Sequence, residues 1–419
     1  MFNANAPIRA NVFSKMIYDH TNVSKPVMWG GNILFFILLL VVMVDPSNSI
    51  LHLKNPAFIL LVTYNIVFLK PDFTFFPSIL LTYAAVVCGL LSSQILGVPL
   101  DTDFTIGTLK GFSMLFLLLW VRYYNVLKLA KISAFIFALL AVIVFIAAAS
   151  NDAIKSVLWT FQEAHDGCYK LSSRYFLGIK VFGISFNSSI STAIPLFACA
   201  YNLLRERKQW LVNLLEVGMI TMLFFVSGSR STMLLPFIII SLAFYLRFKD
   251  SKYVKLMMYP ALCFIAIAFV MLVYKLANDK NETSNVIKYA HLYSYGKLFH
   301  YFPEYFFIGQ GAGSNFFSMG FRAMVPITEW TYLEILRICG AFSVGIFYML
   351  LYPIFALKKF LKNEQVLGFV LSYIVFLFVA GTNPMLIGSS GMCVMIIVYS
   401  FITRFYNKST LDIEKSKLL

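Results

Sequence analysis

The sequence predicts an all-α, polytopic membrane protein with about 12 transmembrane helices. Three observations support this class: 60% of the 419 residues are hydrophobic, only 13% are charged, and the mean hydropathy is +0.79. Soluble domains carry roughly twice that share of charged residues, about 25%. Most of this chain must therefore belong to membrane spans and short connections.

Each predicted span is an apolar run bounded by polar or basic residues. The second and eleventh runs are short, so the count could change by one pair. In chain order, the predicted spans cover residues 28–44, 56–69, 75–96, 107–126, 132–149, 182–204, 210–226, 231–246, 254–276, 332–357, 366–380 and 385–402.

The charge distribution sets the expected orientation. A formal net charge of +15 would suggest nucleic acid in a soluble chain, but most lysines and arginines lie in short connections, as positive-inside topology requires. Nucleic acid is therefore not an expected partner. We predict a cytoplasmic N-terminal segment at 1–27, a single transmembrane domain at 28–404 and a cytoplasmic tail at 405–419.

Two connections are far longer than the others, 150–181 and 277–331, and both are predicted to face outward. The second lies between the ninth and tenth spans. Both contain basic residues, which positive-inside topology places on the opposite face. An anionic ligand at the outer leaflet, such as a phosphate or diphosphate, is the most economical explanation. These outward basic residues are Lys155, Lys170, Arg174, Lys180, Lys280, Lys288, Lys297 and Arg322.

Basic residues near the predicted outer ends of spans are candidates for that ligand. Arg230 follows a Ser-Gly-Ser corner, where a guanidinium and exposed backbone N–H groups can bind a phosphate. Arg174 and Lys180 precede a segment of small polar residues that includes Asn187, and such a face can line a groove for a sugar. The alternatives are an arginine that snorkels at a helix end and close helix packing on small residues.

The second long connection contains a glycine-rich turn, FFIGQGAGS, with Gly309, Gly311 and Gly313. As a nucleotide-binding motif it is weak, because it lacks the Gly-Lys-Ser/Thr ending. We interpret it as a tight turn that needs the backbone freedom of glycine.

Aromatic residues and histidines surround this turn. Tyr293 and Tyr295 are candidates for stacking on sugars, although interfacial tyrosine belts have the same sequence pattern. For His291 and His300, a loop position without catalytic duty is favoured.

The segment TEWTYLEILRICG returns from this connection into an apolar run. If a helix begins near Thr328, Glu334 and Arg337 lie on one face and can pair, which indicates a structural role. Glu329 then remains as the free carboxylate at the mouth of the bilayer. A carboxylate that has lost part of its water is suited to act as a general base.

Polar groups elsewhere carry less information. Glu216 lies within the seventh span, towards its cytoplasmic end, and we favour a structural partner for it. The six cysteines are scattered, so neither a disulfide framework nor a metal site is predicted. They are Cys88, Cys168, Cys199, Cys263, Cys339 and Cys393.

Three stretches resemble the superfamily of O-antigen polymerases and O-antigen ligases. RSTML, from Arg230 to Leu234, resembles its Arg-x3-Leu element. FFIGQGAGS resembles the glycine-rich turn of its long periplasmic loop, and EWTYLEILRICGAFS resembles a ligase stretch that begins with His-Asn. The resemblance implies a GT-C-like membrane glycosyltransferase of the bacterial inner membrane, with both termini cytoplasmic and a periplasmic active site.

Two departures from the family pattern are informative. Glu329 stands where the ligase pattern has its histidine, which favours the polymerase branch. Lys180 opens a segment, KVFG, that usually opens with arginine in the family. Lysine keeps the charge but loses the bidentate fork of arginine.

The resemblance implies an inverting transfer without a metal or other cofactor. The growing chain on one undecaprenyl diphosphate is donated to a sugar hydroxyl of a second lipid-linked repeat unit. Glu329 takes the proton of the acceptor, and Arg230, with Arg174, Lys180 and Arg322, stabilises the departing diphosphate. A chain-length regulator and a flippase in the same membrane are the other implied partners.

Two rival functions stay open. An O-antigen ligase transfers finished polymer to the lipid A core. A flippase or other transporter of lipid-linked oligosaccharides would be expected to line a central path with charges and to have shorter outer loops.

Overall fold

The computed structural model describes residues 23–164, 169–176, 179–206, 208–227, 230–252 and 283–417. Within them, six helical segments are long and apolar enough to cross a membrane: Lys25–Val44, Phe73–Ile95, Thr102–Leu119, Val126–Ser150, Thr331–Phe360 and Glu364–Gly381. The mostly helical, membrane-spanning class predicted from the sequence agrees with this architecture. The full set of twelve spans is not confirmed, and the predicted span at 254–276 lies outside the described residues.

The helices and strands follow one another in a simple order. In chain order they are α1 (Lys25–Val44), α2 (Lys54–Phe68), α3 (Phe76–Ile95), α4 (Thr102–Ser113), α5 (Val126–Ser150), α6 (Asp152–Ala164), β1 (Tyr169–Phe176), β2 (Ile179–Phe186), α7 (Ala193–Arg205), α8 (Trp210–Val226), α9 (Arg230–Phe248), α10 (Thr283–Tyr301), α11 (Glu304–Ile308), β3 (Phe316–Ser318), β4 (Ala323–Val325), α12 (Thr331–Cys339), α13 (Val344–Leu357), α14 (Glu364–Gly381) and α15 (Ser389–Lys417). A 3-10 segment, Met114–Leu119, extends α4.

Helix α7 is the central element of the bundle. Its residues 193–202 are all buried, and it packs against α5, α8, α9 and α14. The predicted span 182–204 was wrong in its first part, because residues 182–186 belong to strand β2, which pairs with β1. The 13-residue helix that remains is about 20 Å long, shorter than the roughly 30 Å hydrocarbon layer.

The predicted span 332–357 is interrupted near its middle. Gly340 has a φ of +56°, and a short 3-10 turn, Gly340–Ser343, separates α12 from α13. A left-handed residue cannot continue an α-helix, so the chain changes direction there. This break brings the C-terminal carbonyl groups of α12 to the surface that receives the glycine-rich turn.

A charged pair lies inside the bundle between α5 and α8. Lys131 Nζ lies 3.1 Å from Glu216 Oε2, and the Cys199 thiol of α7 donates to the same oxygen at 3.1 Å. Both charged side chains are mostly buried. Glu216 therefore has the structural partner that the sequence favoured, since an unpaired carboxylate would be costly at this position.

The first predicted outer connection forms a helix and a hairpin. Strands β1 and β2 are antiparallel, and the hairpin packs with α6 against the ends of α5 and α8 through a small apolar cluster. That cluster consists of Ala148, Tyr169, Leu171, Ile184 and Val226. The second connection, residues 283–330, is called the long loop below. It contains α10, α11 and the short β3–β4 hairpin.

Candidate functional site

The glycine-rich turn fixes the long loop to the corner at Gly340. Gly309, Gly311 and Gly313 have φ angles of 82°, 93° and 91°, which confirms the interpretation of a tight turn that requires glycine. The N–H groups of residues 310 and 311 donate to the carbonyl oxygens of Arg337 and Ile338, at 2.7 and 3.0 Å. The turn thereby satisfies carbonyl groups at the C-terminal end of α12.

The other end of the turn is hydrogen-bonded to the start of α4 and to the residue that precedes this helix. The N–H of Asp101 donates to the carbonyl of Gly313 at 2.8 Å, and Thr105 Oγ1 donates to the carbonyl of Ala312 at 2.8 Å. Two elements from the first third of the chain therefore hold a turn that follows them by about two hundred positions in sequence.

Arg337 is completely buried beneath the turn. Its guanidinium donates to Glu334 Oε2 at 2.8 Å, to Gln310 Oε1 at 2.8 Å and to the carbonyl of Pro326 at 2.7 Å. Nη1 also donates to the carbonyl and hydroxyl oxygens of Ser314, at 3.0 and 2.7 Å. The structural pairing of Glu334 with Arg337 predicted from the sequence is confirmed.

Glu334 completes the cluster from the other side. One carboxylate oxygen accepts the Thr328 N–H at 2.7 Å and the hydroxyl of Tyr295, while the second accepts from Arg337. We call Tyr295, Gln310, Ser314, Glu334 and Arg337 the buried polar cluster. It joins α10, the glycine-rich turn and α12 by charge-assisted hydrogen bonds, which are stronger than neutral ones.

The prediction that Tyr295 binds sugar is therefore wrong. The side chain is 1% exposed, and its hydroxyl is used by Glu334 and by Thr328 Oγ1, the latter at 2.6 Å. Burial, reinforced by the Glu334 carboxylate, raises the pKa of Tyr295, so the phenol stays neutral and acts as a donor. Its position on the inward face of α10 could not be distinguished from an outward one by residue type alone.

An open groove of about 420 Å³ lies on the long loop above the buried polar cluster. The polar residue Gln310 connects the two, since it lines the groove and accepts a hydrogen bond from Arg337. The Phe316 ring also lines the groove and lies 4.6 Å from the Arg337 guanidinium. Other lining residues are aromatic or polar, among them Lys297, Tyr301, Tyr305, Asn315 and Phe317, and three are aliphatic, namely Leu298, Met319 and Met324.

Sequence reasoning missed most of this groove. Tyr301 and Tyr305 were part of the tyrosine-rich pattern, but Gln310 and Asn315 carry no signal beyond their position beside the glycines. Tyr293 is exposed, with the Lys297 amine 4.9 Å from its ring centre, and it does not line the groove.

Glu329 is not the free carboxylate that the sequence predicted. Lys288 Nζ of α10 lies 3.2 Å from Glu329 Oε2, and the two side chains are 33% and 35% exposed. The indole N–H of the adjacent Trp330 donates to the Lys288 carbonyl at 3.0 Å. Glu329 is thus a paired but accessible acid at the start of α12.

His291 lies one turn beyond Lys288 and is completely buried. Its Nδ1 is 2.7 Å from Ser318 Oγ, and its ring makes an edge contact with Phe321. Nε2 is buried without a hydrogen-bond partner among the described residues. Burial lowers the pKa of His291, although the nearby carboxylates of Glu329 and Glu334 oppose this effect. The ring therefore packs the β3–β4 hairpin onto α10 in its neutral form.

This burial predicts that acid destabilises the protein through His291. The unfolded chain takes up a proton near pH 6.5, whereas the folded chain does so only at lower pH, so stability falls as pH drops below about 6.5. Thermal unfolding at pH 7.5 and 5.5 should show a larger loss for the wild type than for His291→Phe, which keeps a ring but cannot titrate. Equal losses for both proteins would contradict a role for His291.

The four predicted phosphate-binding residues lie in two separate parts of the structure. Arg322 is exposed in the turn of the β3–β4 hairpin, with a φ of 54°. The side chains of Arg174, Lys180 and Arg230 lie outside the described part of the structure. Their backbones place Arg174 and Lys180 on β1 and β2 and Arg230 at the first residue of α9.

Val226, at the end of α8, belongs to the same apolar cluster as Tyr169, Leu171 and Ile184 of the hairpin. By contrast, no hydrogen bond or ion pair among the described side chains joins Glu329 or Arg322 to this hairpin. Asn187 follows β2 and is half-buried; it does not line the groove of the long loop. The described residues therefore do not unite all the predicted site residues in one cluster.

The described residues contain no group of three or more His, Cys, Asp or Glu side chains placed to hold a metal ion. No protein-family model, curated protein or solved structure matches the chain.

Proposed function

We propose that this chain is a polymerase of O-antigen or a related surface polysaccharide. It would join undecaprenyl-diphosphate-linked repeat units at the periplasmic face of the bacterial inner membrane, with both termini in the cytoplasm. The observation that carries the proposal is the groove lined mainly by aromatic side chains, which lies on a long loop held in place by the buried polar cluster.

The groove has the chemistry that a glycan requires. Tyr301 and Phe317 are 67% and 55% exposed, and their ring faces can cover the apolar face of a sugar. Asn315 and Lys297 supply donors and acceptors for hydroxyl groups beside those rings. A few fixed polar groups among aromatic side chains are typical of small-molecule sites.

In the proposed reaction, an acceptor hydroxyl oxygen attacks the anomeric carbon of the donor sugar. The new glycosidic bond forms as the bond between that carbon and the diphosphate oxygen breaks, and the leaving diphosphate takes the electron pair. Glu329 accepts the hydroxyl proton. Its pairing with Lys288 orients the carboxylate.

The departing diphosphate needs cations, and Arg230, Arg174, Lys180 and Arg322 are the proposed ones. Arginine donates in a bidentate fork that suits phosphate oxygens. Val226, which ends α8 four residues before Arg230, shares an apolar cluster with the β1–β2 hairpin, and this supports a shared role for the first three.

The test is the lipopolysaccharide ladder from cells that lack the native protein and express each variant at matched levels. Glu329→Gln and Tyr301→Ala should reduce the ladder to a band of core plus one repeat unit. Two matched controls should keep full ladders: Glu304→Gln removes an exposed acid of α11, and Tyr289→Ala removes an exposed tyrosine of α10 outside the groove.

Other patterns would contradict the proposal. Core without any attached unit would indicate a ligase, and accumulation of lipid-linked units on the cytoplasmic side would indicate a flippase. Unchanged ladders in both test variants would exclude the groove and Glu329 from the reaction.

A further inference from the structure

A second groove, of about 300 Å³, opens on the side of the bundle between α2, α4 and the start of α15. Two lysines are among its lining residues, since Lys54 begins α2 and Lys110 lies in the last turn of α4. Asn55, Ser113 and Ser389 add further polar groups. This lateral groove shares no lining residue with the groove of the long loop.

Lys110 is the unusual residue of the lateral groove. It belongs to a candidate membrane span, Thr102–Leu119, and it is exposed. No carboxylate of the described residues lies within ion-pair distance of it. A basic residue within a span is costly and is usually paired or functional, so the lateral groove presents a cation that the described part of the protein does not neutralise.

Lys54 is held differently from Lys110. It is 8% exposed, and its amine donates to the carbonyl of Pro46. Its ammonium is therefore bound within the protein, whereas the exposed side chain of Lys110 can turn towards a ligand. The Lys110 amine and the Asn55 amide offer donors of the kind that bind phosphate oxygens.

The remaining wall is apolar and faces outward from the bundle. Phe58, Ile59 and Met114 line it, and Ile59 is 63% exposed. A ligand that fits both walls needs an anionic head and a hydrocarbon chain. We propose that the lateral groove binds an anionic membrane phospholipid, with its phosphate at Lys110, beside the buried Lys54, and an acyl chain along Phe58 and Ile59.

This proposal does not depend on glycosyl transfer, because it uses only charge, groove shape and the membrane setting. The full-length protein, purified in detergent, would be titrated with phosphatidylglycerol, and bound lipid would be counted by native mass spectrometry. Lys110→Gln should weaken the apparent affinity for the first bound lipid about tenfold, as expected for one lost charge-assisted hydrogen bond.

The matched control is Lys128→Gln, which removes an exposed lysine from the first turn of α5. It should bind phosphatidylglycerol like the wild type. Equal affinity in wild type and Lys110→Gln, or an equal loss in both variants, would overturn the proposal.

Two further probes test the contribution of the lipid headgroup separately from that of the acyl chain. Diacylglycerol, which lacks the phosphate, should not be retained, and its retention at the same level would overturn the role of the lysines. Inorganic phosphate at millimolar concentration should not displace the lipid. Its displacement by phosphate alone would identify a site for a soluble anion instead of a lipid.

Discussion

Arg337→Met is expected to destabilise the protein by about 3–5 kcal/mol. The substitution leaves the Glu334 carboxylate buried and without its cation, and it removes the donors that bind Gln310, Ser314 and Pro326. Removing one partner of a buried ion pair costs far more than removing an exposed charge, because the remaining charge has neither water nor a counterion.

Thermal unfolding of the purified variant would measure the loss. Arg322→Met is the matched control for stability, since Arg322 is an exposed arginine on the same loop, and its effect should stay within about 0.5 kcal/mol. Glu334→Gln combined with Arg337→Met should recover part of the stability, because the unpaired charge is gone. Similar melting of Arg337→Met and Arg322→Met would contradict a structural role for the cluster.

Gly340→Ala is the second substitution with a large expected effect. A methyl group at this position would lie 2.4 Å from the Gly309 nitrogen and 2.6 Å from the Phe307 carbonyl oxygen. Both obstacles are backbone atoms, which a rotamer change cannot move. With the left-handed φ of +56°, the combined strain and overpacking should cost about 2–5 kcal/mol.

Gly296→Ala provides the comparison for this variant. Gly296 lies within α10, and nothing approaches its added methyl group within 4 Å, so alanine should stabilise the helix by about 0.5–1 kcal/mol. Thermal unfolding of both variants should move in opposite directions. A neutral Gly340→Ala variant would show that the corner relaxes without loss.

The sequence predicted those features that depend on local pattern. The long apolar runs of α1 and α5 identified spans directly, and the spacing of Glu334 and Arg337 was enough to predict their pairing. The glycine-rich turn was also predicted, because glycines at alternate positions are typical of a tight turn with positive φ angles.

The errors arose where distant residues determine the outcome. Lys288 pairs with Glu329, which follows it by forty-one positions in the chain. No local sequence pattern predicts a contact over that separation. Tyr295 is buried because Glu334 and Thr328 approach it from another segment. Residues 182–186 form a strand only because β1 is available for pairing, whereas their apolar composition alone resembled the start of a span.

The contacts of the glycine-rich turn also determine when this region can mature during synthesis. Thr105 is made some two hundred residues before Ala312, its hydrogen-bond partner, and the carbonyl groups of α12 follow the turn. The surface around Thr105 must therefore remain exposed in the membrane until the last third of the chain has been inserted. The groove of the long loop is consequently a late product of biogenesis, and a chain truncated before Thr331 would lack the α12 contacts that hold it in place.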